Sequence, residues 1–298
     1  MNGGRYINPY TDFGFKYLFG QNMNKDLLVS FLNALFHGRQ NIVDLKYLNG
    51  EHLGDNAGER RAIFDVYCEN DKGEKFIVEM QNVYQQFFKD RSVYYSTFPI
   101  RDQAEKGEWD FELKSVYTVG ILNFVFDEDK NDSNYFHHEV KLMDVNRKTV
   151  FFDKLTFVYL EMPKFDKTEE ELVTMFDKWM FVLKNLSRLM ERPAALQERI
   201  FTRLFEAAEI ARFSKEEQRQ YDDSLKAYRD ITNAINTARK DAREEGREEG
   251  MAKGLAKGRE EGINAERIAT AKKMKQKDLP VSIIAEITGL SAQEISKL

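Results

Sequence analysis

Apolar positions along this chain change their spacing several times, and each change marks an element. Over residues 24–36 (NKDLLVSFLNALF), Leu27, Leu28, Phe31, Leu32, Leu35 and Phe36 fall at helical spacing, with Asn24 placed to cap the helix and Gly38 to stop it. Three runs of β character follow, at 42–48, 61–69 and 75–81. Residues 86–105 return to steps of three and four through Phe87, Phe88, Arg91, Tyr94, Tyr95 and Phe98, and Pro99 is expected to kink or end that helix. Segments 116–126 and 157–162 read as buried strands. Helix, three strands, helix, strand is the order of an α/β or α+β domain.

The second half changes character. Residues 169–236 are rich in helix formers with one interior proline, Pro193, and predict packed helices. Residues 238–267 carry glycine at 246, 250, 254, 258 and 262, a period of four in a charged tract. Such a stripe could let two helices approach closely. Each glycine also weakens a helix by about 1 kcal/mol relative to alanine, so the tract reads as a linker with helical tendency. In residues 268–298 apolar spacing resumes through Ile283, Ile284 and Ile287. Gly289 then fits a turn, and Ser291 with Glu294 forms a capping box before a short last helix. That outline is helix-turn-helix-like, and a tail that mediates self-association into a dimer or higher oligomer fits it equally. The expected organisation is therefore a core at 1–165, a helical extension at 166–237, a linker at 238–267 and a small tail at 268–298.

Composition narrows the class. With 42% apolar and 32% charged residues, the chain has a globular rather than a disordered balance. A net charge of −5 gives no chain-wide basic footprint, so any grip on nucleic acid must come from a local basic rim. One cysteine, Cys68, excludes an intramolecular disulfide framework and a cysteine-based zinc site, and suits a reducing compartment. The first ten residues lack a secretory pattern, and 116–126 is too short and too β-rich to cross a bilayer, so a cytoplasmic protein without membrane association is expected.

Candidate chemistry concentrates in one hairpin. Asp71-Lys72-Gly73 is a three-residue loop with glycine at the left-handed position, and pairing Asn70 with Glu74 sets Asp65 opposite Glu79. Two carboxylates facing each other repel, and both stand among apolar neighbours, in Ile-Phe-Asp-Val and Ile-Val-Glu-Met, where a bare charge is costly. A divalent cation resolves both problems. Carboxylate oxygens suit Mg2+ or Mn2+, and such an ion activates water for attack on a phosphodiester. Alternation puts Gln81 on the face of Glu79, where its amide can orient water or a phosphate oxygen. His137-His138, read as part of a polar loop after an acidic run, lacks companion ligands at metal spacing. No glycine-rich phosphate loop, nucleophile elbow or dinucleotide fingerprint is present.

Asp65, a hairpin and then Glu79-Met80-Gln81 resemble the D…(D/E)XK signature, with glutamine in the lysine position. The segment Thr11-Asp12-Phe13-Gly14-Phe15-Lys16-Tyr17-Leu18-Phe19, Val78-Glu79-Met80-Gln81, Arg91 with Tyr94-Tyr95, and the glycine-repeat tail are similar to the recombination-promoting nuclease/transposase (Rpn) family of the PD-(D/E)XK superfamily. The resemblance spans most of residues 5–130. It implies a restriction-endonuclease-like α/β core, a mixed central sheet flanked by helices, with an α-helical C-terminal extension. It further implies Mg2+-dependent DNA cleavage, with Mn2+ able to substitute. Asp65 and Glu79 would be the metal ligands, and Gln81 and Asp12 would complete the catalytic set. Arg91, Arg61 and Lys16 are the candidates for contact with DNA phosphate. A second reading keeps the fold for DNA binding or self-association, with cleavage weak or lost.

Overall fold

Alternation along KFIVEMQ sends Phe76, Val78 and Met80 to one side of a strand and Ile77, Glu79 and Gln81 to the other, and helices cover both sides. The computed structural model describes residues 4–52, 62–104 and 110–298. It divides the chain into two units, Met1–Tyr228 and Arg229–Leu298.

The strands are β1 (Leu45–Tyr47), β2 (Glu51–His52), β3 (Ala62–Ile63), β4 (Val66–Asn70), β5 (Lys75–Gln81), β6 (Val116–Leu122), β7 (His137–Asp144) and β8 (Thr149–Glu161). Among the described residues, six of them form one sheet in the order β1-β4-β5-β6-β8-β7, and β2 pairs with β3 apart from it. Neighbours β1, β4 and β5 run antiparallel, β5, β6 and β8 run parallel, and β7 closes the edge antiparallel to β8. A parallel β5–β6 pair requires a crossover, and helix α3 (Phe88–Arg101) lies within it.

One face of the sheet packs on α1 (Asp12–Phe19), α2 (Lys25–Leu35), α4 (Met175–Asn185) and α5 (Arg199–Ala207). Trp179 is fully buried there against Phe19, Phe31 and Phe201, and its indole N–H donates to Ser30 Oγ at 3.2 Å. The other face is covered by α3, through Phe88 on Leu122, Phe124, Phe126 and Tyr159 and through Phe98 on Phe64, Tyr67 and Ile77. Helix α6 (Lys215–Lys275) begins in the first unit. There Tyr221 Oη accepts from Asn8 N–H at 3.0 Å, and Ser224 Oγ accepts from Phe13 N–H at 3.1 Å.

The second unit closes a small core of Ala271, Ile284, Leu290 and Ile295 between α6, α7 (Val281–Thr288) and α8 (Ala292–Ser296). The expected capping box is present, with Ser291 N–H donating to Glu294 Oε2 at 2.8 Å. Among the described residues no helix is long and apolar enough to cross a membrane.

Several local expectations are corrected. The run at 61–69 is not one strand: β3 pairs with β2, and the chain bends at Asp65 before joining the main sheet as β4. Helix α3 runs two residues past Pro99, which has no N–H to offer the Tyr95 carbonyl, and ends at Arg101 rather than at 105. His137 and His138 lie on β7 rather than in a loop. Strand β8 begins at Thr149, well before the expected 157, because its first residues pair only with β7 and bury no face that a hydrophobic pattern could mark. The glycine tract 238–267, expected as a linker, lies wholly within α6, where Lys253–Glu249 and Lys257–Glu261 ion pairs at i,i+4 spacing lend support.

Helix α1 had no element assigned to it from sequence. It starts from Thr11, whose side chain accepts Gly14 N–H at 3.0 Å and donates to Asn8 O at 2.8 Å. The turn is so tight that a Cβ on Gly14 would overlap Asn8 O and stand 2.6 Å from Thr11 Oγ1. Gly14→Ala should therefore destabilise the first unit by about 1–3 kcal/mol, although alanine is the better helix former. Gly254→Ala, with nothing within 4 Å of the added carbon, should add helix stability. Circular dichroism melts of both variants check the opposed signs, and equal signs would contradict the packing of α1.

Candidate active site

The β4–β5 hairpin has the register inferred from its loop. Val66 pairs with Val78, Tyr67 with Ile77, Cys68 with Phe76 and Glu69 with Lys75. Asn70 N–H donates to Glu74 O at 3.0 Å, Gly73 N–H donates to Asn70 O at 3.0 Å, and Gly73 takes φ +78°. The loop thus fixes which residues stand beside one another further along the strands.

One step beyond the last pair stand Asp65 and Glu79. Asp65 sits at the bend ahead of β4, and its Oδ2 accepts the backbone N–H of Met80 at 2.9 Å. Glu79 lies on β5 beside Gly120 of β6, and its side-chain carboxylate accepts no hydrogen bond from a described residue. Burial pushes the Glu79 carboxyl up to about 7, the neighbouring Asp65 charge adds to the rise, and Arg91 opposes it. Burial also raises Asp65, against the Met80 N–H and the Lys16 charge, while Asp12 raises it further. Two half-buried carboxylates, one of which is held back from ionising by the charge of the other, are the hard oxygen donors that a Mg2+ or Mn2+ ion takes, so the residues fit such an ion.

Arg91 reaches this point from α3. Its Nη2 donates to Gln81 Oε1 at 2.6 Å, Nη1 bonds Gln85, and Nε is buried without a partner. The guanidinium lies over Phe88 and Tyr95, 5.4 and 5.7 Å from the ring centroids. Gln81 also donates from Nε2 to Val83 O at 2.9 Å. Both ends of its amide are thus engaged, and Gln81 holds Arg91 rather than presenting a free amide to water. Tyr95, under the Arg91 guanidinium, has its hydroxyl raised first by burial and then by the Glu79 charge. The sequence shows Tyr95 by its helical spacing and, with Arg91 and Tyr94, in the family resemblance, but assigns it no role.

The remaining candidates stand further out. Asp12 opens α1, is about two-thirds exposed at 66%, and pairs with Lys16 at 2.7 Å. Their charges are felt at Asp65, but Asp12 is not gathered with the two carboxylates into a three-ligand cluster. Arg61 lies outside the described residues.

A mixed sheet with its acidic pair at the end of a central hairpin, flanked by helices, is a PD-(D/E)XK nuclease fold. The model of the PD-(D/E)XK nuclease family transposases matches residues 9–238, and the chain belongs to that family. No curated protein and no solved structure matches it.

The Glu79 shift has a sign that can be tested without an added ion. The carboxyl titrates near 4.5 in the unfolded chain and near 7 in the fold. Between those values the folded state holds the extra proton, so its contribution to stability is complete below 4.5 and lost as pH rises through 7. In chelator, the melting temperature of wild type relative to Glu79→Gln should fall across that window. Parallel pH profiles for the two proteins would show that Glu79 is not perturbed.

Proposed function

We propose that the chain is a Mg2+-dependent DNA endonuclease, with Mn2+ able to substitute, that serves recombination or transposition. The observation that carries this reading is the Asp65–Glu79 pair, two half-buried carboxylates at the end of the family's hairpin with the Glu79 carboxyl raised to about 7. A divalent cation bound there would supply an electrophile for the phosphate and an acidified water. Asp65 and Glu79 would hold it, and the Met80 N–H keeps the Asp65 carboxylate turned toward the site.

Gln81 occupies the lysine position of the motif and brings no charge of its own. It anchors Arg91, and the guanidinium provides the positive charge instead, fixed between two rings and in reach of both carboxylates' fields. In this reading Arg91 contacts a phosphate oxygen of the strand being cut, because a planar fork is suited to that geometry. Lys16, partly exposed on α1, adds a second positive charge at the rim, and Asp12 keeps it oriented. The net charge of −5 leaves steering of DNA to these local groups.

Nicking of supercoiled plasmid by the full-length protein tests the reading. Wild type should nick with Mg2+ or Mn2+ and not in chelator. Asp65→Ala and Glu79→Gln should each lower the rate at least about a hundredfold, the order lost when one member of a catalytic set is removed. Arg91→Ala should lower both rate and DNA affinity, and Arg91→Lys should recover part of the affinity. Nicking that survives Asp65→Ala in clean protein would sink the catalytic assignment. An inert wild type that still shifts DNA would leave the fold as a binding module.

A further inference from the structure

Outside the hairpin, three chain segments bring Asp129, His138 and Glu161 together with their ligand atoms within 4.8 Å of one another. Asp129 ends the short 3-10 turn after β6, His138 lies on β7, and Glu161 is the last residue of β8. In linear sequence the His137-His138 pair has no companion at metal spacing. The β7–β8 pairing, with His138 opposite Tyr159, and the turn at 127–129 supply the companions.

The spacing is wrong for hydrogen bonds and right for a shared ion. His138 Nε2 stands 3.4 Å from Glu161 Oε2 and 3.7 Å from Asp129 Oδ2. Those lengths exceed an ordinary N–H···O bond. Two ligands on a tetrahedral ion with bonds of about 2.0–2.2 Å stand about 3.3–3.6 Å apart. His138 Nε2 is buried and has no hydrogen-bond partner. Glu161 is fully buried, with its Oε1 fixed by Phe126 N–H at 2.6 Å and its Oε2 free of hydrogen bonds. Its counter-charge is Lys164 Nζ at 2.7 Å, an ion pair off hydrogen-bonding geometry, and that ammonium also donates to Tyr135 O at 2.9 Å.

We infer that Asp129, His138 and Glu161 form a second, independent site for a divalent transition cation of the zinc class. One imidazole and two carboxylates favour such an ion over Mg2+, which prefers oxygen alone. Glu161 is in line with Gln81 across the sheet, with Leu122 of β6 between them. At a strand spacing of about 4.8 Å, this puts the backbone of Glu161 about 10 Å from that of Gln81, on the far side of β6 from the hairpin. The ion would join three segments that otherwise meet only at the sheet edge. It would brace Phe126, which packs on the His138 ring and on Phe88 at the start of α3. Lys164 competes for Glu161 and must retain only its Tyr135 carbonyl when the ion enters.

Full-length protein stripped with chelator and titrated with Co2+ as a spectroscopic stand-in for Zn2+ tests the site. One equivalent should produce a visible d–d band that Zn2+ abolishes and excess Mg2+ does not, and Zn2+ should raise the melting temperature. His138→Gln and Asp129→Asn should each weaken binding by more than about tenfold. Lys164→Met should strengthen it, and the Asp65→Asn/Glu79→Gln double variant should leave it unchanged. Because Asp129 lies in a surface turn, Asp129→Asn keeps the test valid if His138→Gln fails to fold. No band with wild type, or the same band in both ligand variants, would overturn the site and leave the cluster as an ion-pair network around Lys164. Loss of the band in the double variant would assign the ion to the nuclease hairpin instead.

Discussion

Strand β5 has to be apolar on both faces and still carry a carboxylate. It lies between the α1/α2/α4 layer and α3, so Phe76, Ile77 and Val78 are fully buried in succession. Glu79 follows them directly, where a charge meets little water and a second carboxylate at once. The rest of the site can be understood as a response to that position. Asp65 leaves the ladder at a bend and is held by a backbone N–H, and Arg91 comes over from the covering helix. Without an ion the pair is an electrostatic burden on the fold, and in the proposed function an ion would turn that burden into a reactive centre. The same arrangement thus links stability to function.

Much of this could be read from residues. The loop Asn70–Glu74 fixed the hairpin register, since glycine at a left-handed position and a short loop allow few alternatives. Alternation placed Glu79 and Gln81 on one face, and the helical spacing placed Arg91 on the next element. What could not be read was the work of long-range pairing. Asp65 looked like a mid-strand residue because Ala62, Ile63 and Phe64 are as apolar as the strand that follows, although the break between them is what turns its carboxylate inward. His138 looked solitary because its partners come from a turn before it and a strand end after it. Helix α1 was obscured by an interior glycine, which is there for a contact with Asn8 that no periodicity reports.

In the proposed function, the glutamine at the motif's third position means that a chemical role has moved between elements. In the general pattern the positive charge is carried on the strand. Here the strand offers an amide, and the charge arrives from α3, braced by Phe88 and Tyr95. A guanidinium so held is pre-oriented and gives up little rotational freedom when it meets a phosphate. In that reading the orientation of α3 would matter to the site as much as the motif does, and the aromatic packing beneath that helix would become part of the chemistry.

That packing rests partly on a missing atom. Gly120 lies beside Glu79 in the sheet, and a Cβ there would stand 3.1 Å from the Tyr159 ring, 3.3 Å from Leu122 and 3.6 Å from Phe88. One added methyl would press on the ring that supports the helix bearing Arg91, while every acidic residue of the signature stayed in place. If such chains cut DNA as proposed, a lineage of them could lose that activity by drift at a position no motif search inspects. Intact signatures would then persist in genomes as relics of a spent enzyme.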